Sequence, residues 1–167
     1  MARYSYSITS VTPTATADTT NLVDSTYLGY LLGGSSTMRM NISEVYMGGE
    51  AASSSSPSIM VLARDSTVMS GTAGGGRVAV LDASNTAPGT LPITGNTAAT
   101  TKPQRSSTLH LLHLSFNAYG GIVRWVARPG EEISVVGNSA SLGEASLTAY
   151  TGGPTGQMSA HVLYEVV

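Results

Sequence analysis

The chain has no cysteine, which removes disulfide scaffolding, zinc-ribbon sites and thiol chemistry together. Stability has to come from packing. Charge is also scarce: 11% of the 167 residues are charged, against roughly 25% in ordinary soluble domains. The net charge is -2 and the eight Lys and Arg are scattered, so the basic patch or stripe of a nucleic-acid binder is missing. No apolar run approaches the roughly 20 residues of a membrane-spanning helix. The amino terminus, MARYSYSITS, has no continuous apolar core of a secretory signal, so synthesis in the cytoplasm is expected. Large aromatics are few, with one Trp and one Phe. No stretch carries a persuasive helical period beyond about ten residues.

Small polar residues take the place of the missing charge: 23 Ser, 20 Thr and 19 Gly. A free monomer ordinarily carries more charge to remain soluble, so this balance favours a subunit whose surface is covered by neighbours. The length is that of one domain, 1–167, able to bury a sizeable core.

Period-two alternation recurs along the chain. Tyr4, Tyr6 and Ile8 share one side of a strand opposite Arg3, Ser5 and Ser7. Thr12 to Asp24 reads as a loop or extended arm, and Tyr27 to Leu32 as a strand or one helical turn. In Thr37 to Met47, Met38, Met40, Ile42 and Tyr46 alternate against Arg39, Asn41, Ser43 and Val45. Glu44 falls on the apolar side, which calls for a position near water at a strand end or an arginine partner. Ser58 to Arg64 is apolar on both faces and belongs inside a sheet. A short strand, Arg77 to Leu81, follows the glycine-rich turn Gly71 to Gly76. Residues 82–107, with Pro88, Pro92 and Pro103, form the longest irregular segment; loops beyond about 12 to 15 residues tend to be functional or disordered.

Thr108 to Val136 is the expected centre of the fold. Leu109 to Phe116 and Ile122 to Ala127 flank Asn117, Tyr119, Gly120 and Gly121, the chemistry of a β-hairpin. The adjacent Leu111 and Leu112 change the phase of the first run, which requires a bulge or a strand covered on both sides. Trp125 and Phe116 predict the largest aromatic burial here. Strands over Glu132 to Val136, Glu144 to Tyr150 and Gln157 to Val167 complete the series. About eight or nine strands separated by Gly and Pro turns indicate an all-β, antiparallel, jelly-roll-like β-sandwich with one long irregular loop.

Catalytic chemistry finds little support. Gly71 to Gly76 lacks the lysine of a phosphate-binding loop, and no Gly-x-Ser-x-Gly elbow is present. The acids, among them Glu44, Asp65, Asp82 and Glu144, stand singly or in turns, without the converging pair a glycosidase needs. His110 and His113 are three apart, so on a regular strand they point to opposite faces and share no ion unless the bulge realigns them. No enzyme activity, cofactor or metal is therefore expected. Arg64, Arg124 and Arg128 each end or interrupt an apolar strand; such arginines serve interfaces or pair within the subunit. Together with Pro88, Pro92, Pro103 and Arg105 of the irregular segment, they are the candidate interface residues.

Met38 to Asp65, together with PQRSSTLHLLHLSFNAYGGIVRWVARPGEEISVVGN from Pro103 to Asn138, resembles the small structural proteins of tailed-bacteriophage virions, in particular the cement or decoration proteins of the head. The resemblance is one of general character rather than of an invariant motif. It implies a β-rich homo-oligomer, a trimer foremost, on the capsid surface, bound to the major capsid protein and helping the shell resist internal pressure. No nucleic-acid or membrane partner follows from it. A tail, collar or fibre-head protein with a receptor- or glycan-binding sandwich is the alternative.

Overall fold

Strands with one dry face must bury it against another layer, and where that layer is again made of strands the result is sheet laid on sheet. The computed structural model describes residues 3–11, 29–31, 39–49, 57–67, 70–71, 77–85, 93–95, 99–101, 104–136, 143, 145–151 and 158–167. Its strands are β1 (Arg3–Val11), β2 (Gly29–Leu31), β3 (Arg39–Gly49), β4 (Pro57–Thr67), β5 (Ser70–Gly71), β6 (Arg77–Val80), β7 (Ile93–Gly95), β8 (Ala99–Thr101), β9 (Gln104–Asn117), β10 (Ile122–Val126), β11 (Ile133–Val136), β12 (Ala145–Thr151) and β13 (Met158–Val166). No described residue is helical.

One sheet, called A, runs β10-β3-β13-β1-β6, with β11 also on β3. Sheet B runs β7-β2-β12-β4-β9, and β5 pairs with β8 separately. Every pairing is antiparallel. A single core joins the sheets, with Tyr6, Met40, Ile42, Met47 and Tyr164 from sheet A and Met60, Leu62 and Leu147 from sheet B. The protein is an all-β sandwich. The 82–107 segment contains β7 and β8, and β9 begins at Gln104. Residues 12–24 lie outside the described residues, and of the run from Tyr27 to Leu32 the described part, Gly29–Leu31, is the strand β2.

Alternation was a sound guide where strands are regular. Tyr4 and Tyr6 are buried, and in β13 Met158, Ala160, Val162 and Tyr164 point inward. Tyr4 and Tyr164 face each other across β1 and β13, their rings stacked with centres 5.6 Å apart. Burial pushes the Tyr164 phenol pKa upward. In β4, Val61 and Ala63 are as fully buried as Met60 and Leu62 on the other face, as a strand inside a sheet requires.

Three expectations are corrected. First, β9 and β10 do not form a hairpin: β9 pairs with β4 in sheet B and β10 with β3 in sheet A. The turn between them carries the chain from one layer to the other. Asn117 Oδ1 accepts the Tyr119 N–H at 2.9 Å and Gly120 takes φ 68°, so residues suited to a hairpin loop serve equally well in a crossing between sheets. Second, Trp125 is only partly buried; Tyr6 and Tyr164 are the largest fully buried side chains. It stands on the edge strand β10, where one side of the indole has no neighbouring strand among those described. Third, the phase of β3 shifts. Opposite β13, Leu163 aligns with Glu44 and Tyr164 with Ile42, which leaves Ser43 as an extra residue. This bulge turns Val45 and Met47 inward and moves Glu44 and Tyr46 to the outer face.

The phase change in β9 has the form anticipated for it. Leu112 aligns with Leu62 and His110 with Ala63, so Leu111 is the added residue of a bulge.

Candidate functional site

The β3 bulge assembles a polar row on the outer face of sheet A. Ser7 of β1 lies opposite His161 of β13, His161 opposite Tyr46 of β3, and Tyr46 opposite Arg124 of β10. Side chains in such a row touch because directly opposed residues sit about 5 Å apart. Ser7 Oγ and His161 Nδ1 are 2.8 Å apart. The His161 ring meets Tyr46 edge-on, with centres 6.0 Å apart. Tyr46 donates its hydroxyl to Glu44 at 2.5 Å, and Arg124 donates to the same carboxylate oxygen from Nη2 at 2.8 Å while its guanidinium lies 5.0 Å from the Tyr46 ring centre. Glu44 thus satisfies the arginine-partner reading of its position.

Electrostatics follow from these bonds. The Tyr46 hydroxyl, and after it Arg124, hold the Glu44 carboxyl below its ordinary pKa against the opposing effect of burial. The same bond raises the Tyr46 phenol. A carboxylate with a lowered folded-state pKa stabilises the fold above its unfolded value and loses that contribution as pH falls through the folded one. Loss therefore sets in below pH 4.5. Because Arg124 is half exposed, the contribution is about 1 kcal/mol at most. Chemical denaturation between pH 7 and 3 is expected to show a smaller acid loss in Glu44→Gln than in the parent, and equal losses would exclude this role.

Two hollows flank the row. A groove of about 400 Å³ is lined by Ser7, Tyr46, Gly48, Gly49, Ile122, Ser159, Ala160 and His161; at Gly48 the missing side chain leaves its floor low beside Ile122. A second, of about 270 Å³, includes Arg3, Glu44, Val126, Pro129, Glu132 and Glu165, with an Arg3–Glu165 ion pair at 3.5 Å. Ile122 and Val126 rise beside them, 71% and 49% exposed, on either side of Arg124. The face therefore offers apolar surface beside charges already neutralised and fixed by one another. The Ser7–His161 contact has the first element of a nucleophilic pair, but among the described residues no carboxylate holds the other imidazole nitrogen.

The residues selected from sequence are dispersed. Among the described candidates, Arg124 joins this face. Arg64 is half-buried in sheet B and donates to the Gly143 carbonyl at 3.4 Å, and burial lowers its pKa. Arg128 is exposed, its carbonyl closing a turn with the Glu131 N–H. Arg105 aligns with Asp65 across β9 and β4, its side chain outside the described residues. Pro88, Pro92 and Pro103 also lie outside them. Sequence reasoning missed Ile122, Val126, Tyr46 and His161. Alternation in IVRWV does place Ile122, Arg124 and Val126 on one side, and that was a usable signal; the Tyr46 side depended on the unseen bulge.

No protein-family model, curated protein or solved structure matches this chain.

Proposed function

We propose that the protein is a structural component of a tailed-phage virion, an oligomeric cement or decoration subunit that binds the major capsid protein, the trimer being the favoured state. The carrying observation is the outer face of sheet A, where Ile122 and Val126 stand exposed around an internally neutralised Arg124. Desolvating a charge that already has its partner costs less than desolvating a free one, so this face is suited to burial by another protein. Scarce charge and abundant Ser, Thr and Gly support the same reading. Closed symmetric oligomers are the usual soluble assemblies, and a threefold one fits threefold positions of an icosahedral shell.

The strand order supports a jelly roll. Taking β1, β2, β3, β4, β9, β10 with β11, β12 and β13 as eight successive strands, sheet A contains first-eighth-third-sixth and sheet B second-seventh-fourth-fifth. Interleaved Greek keys produce this alternation. In this reading the work is adhesion, and no bond-making step is assigned.

Light scattering on the purified chain, followed by co-sedimentation with empty shells of its phage, tests the proposal. The parent is expected to form a discrete oligomer and to bind shells; Ile122→Asp is expected to keep its fold and lose affinity for them tenfold or more, the loss of about 1.4 kcal/mol that a central apolar contact can carry. A monomer indifferent to shells would overturn it. The groove around Tyr46 and His161 favours one second reading, a tail, collar or fibre-head protein binding a glycan receptor, for which glycan binding without shell binding is the expected result.

A further inference from the structure

The Leu111 bulge has a chemical consequence on sheet B. Residues three apart in a regular strand point to opposite faces, but the extra residue brings His110 and His113 to the same one. Their cross-strand partners, Ala63 and Val61, share a face opposite that of Met60 and Leu62 in the core. The two imidazoles lie with ring centres 6.1 Å apart and planes 36° from each other. His113 is exposed and His110 half-buried, on an edge strand of the sheet.

We propose that His110 and His113 together bind a borderline divalent cation of the Zn²⁺ class. With Zn–N bonds of about 2.0 to 2.1 Å, two imidazoles on one ion have ring centres roughly 5 to 6.5 Å apart, depending on the N–Zn–N angle. A tetrahedral angle puts the ring centres at roughly 5.2 Å, so from the 6.1 Å observed the rings close by about 1 Å, a shift that side-chain rotation supplies without movement of the strand. Imidazole suits Zn²⁺, Cu²⁺ and Ni²⁺ and is a poor ligand for the hard Mg²⁺ and Ca²⁺. Among the described residues no third His, Asp or Glu joins the pair. This site lies on the other sheet from the proposed adhesive face and stands independently of that proposal.

The test is a Zn²⁺ titration of the full chain, followed by calorimetry and by the ring resonances of ¹⁵N-labelled histidine. One Zn²⁺ per chain is expected, shifting the signals of His110 and His113 together and leaving that of His161, on sheet A. His113→Ala, at an exposed position, is expected to lower affinity at least tenfold, and His110→Gln to do the same, with Mg²⁺ producing no shift in the parent. Absence of Zn²⁺ binding, equal response of His161, or unchanged affinity in His113→Ala would overturn the assignment. If His110→Gln fails to fold, the His113→Ala affinity and the parent spectra decide the matter by themselves.

Discussion

Gly49→Ala is expected to destabilise the protein by about 3 kcal/mol or more, at the upper end of the usual cost of overpacking. For a chain of this size that is a fall of roughly 6 to 12 °C in melting temperature. A Cβ at Gly49 would stand closer than 3.0 Å to three backbone atoms of Ala118, in the turn that carries the chain from β9 to β10. Ala118 is itself fully buried, and the Gly49 N–H points to the Gly121 carbonyl at 3.4 Å. Backbone on both sides leaves no flexible side chain to give way. The neighbouring Gly48 is the control. Its added Cβ would meet nothing nearer than 3.6 Å, so Gly48→Ala is expected to stay within about 1 kcal/mol of the parent. Equal melting temperatures for the two variants would show that the crossing turn is not packed as described.

Leu62→Ala is expected to cost about 2 to 5 kcal/mol. Leu62 is fully buried in β4, with Leu147 of β12 opposite it on one side and Leu112 of β9 on the other. Strands hydrogen-bonded on both edges cannot close in to fill the lost volume, so a cavity remains under sheet A. Urea unfolding is the measurement: the midpoint should fall with the slope unchanged, as in loss of stability without a change in the surface exposed. A loss below about 1 kcal/mol would mean that the two sheets do not share the core described here.

Alternation reveals the buried face where a strand keeps one phase from end to end. β13 and the first half of β1 were legible as alternation, and β4 as a strand shielded on both faces. It failed at β3, because a bulge at Ser43 leaves no distinctive residue type behind and is seen only when the partner strand is known. Val45 and Tyr46 exchanged sides for that reason, and the polar row that depends on Tyr46 could not be anticipated. In β9 the outcome differed because two adjacent leucines announced the change of phase. Among the candidate interface residues, Arg124 and Arg64 look alike in sequence, each at an apolar strand, yet one lies on an outer face and the other donates to the Gly143 carbonyl within its own chain.

From its residues alone this chain determined its class: all-β, antiparallel and held without disulfides. Those properties are local, arising from side-chain alternation and backbone freedom at the turns, and they do not depend on what each strand pairs with. Tertiary structure alone decided which strand lies beside which, that the turn after Asn117 joins two sheets instead of closing a hairpin, and that two bulges gather Glu44 with Arg124 and His110 with His113. Pairing is a contest among distant segments for the same edges, so its result is a property of the whole molecule and cannot be read from any one stretch.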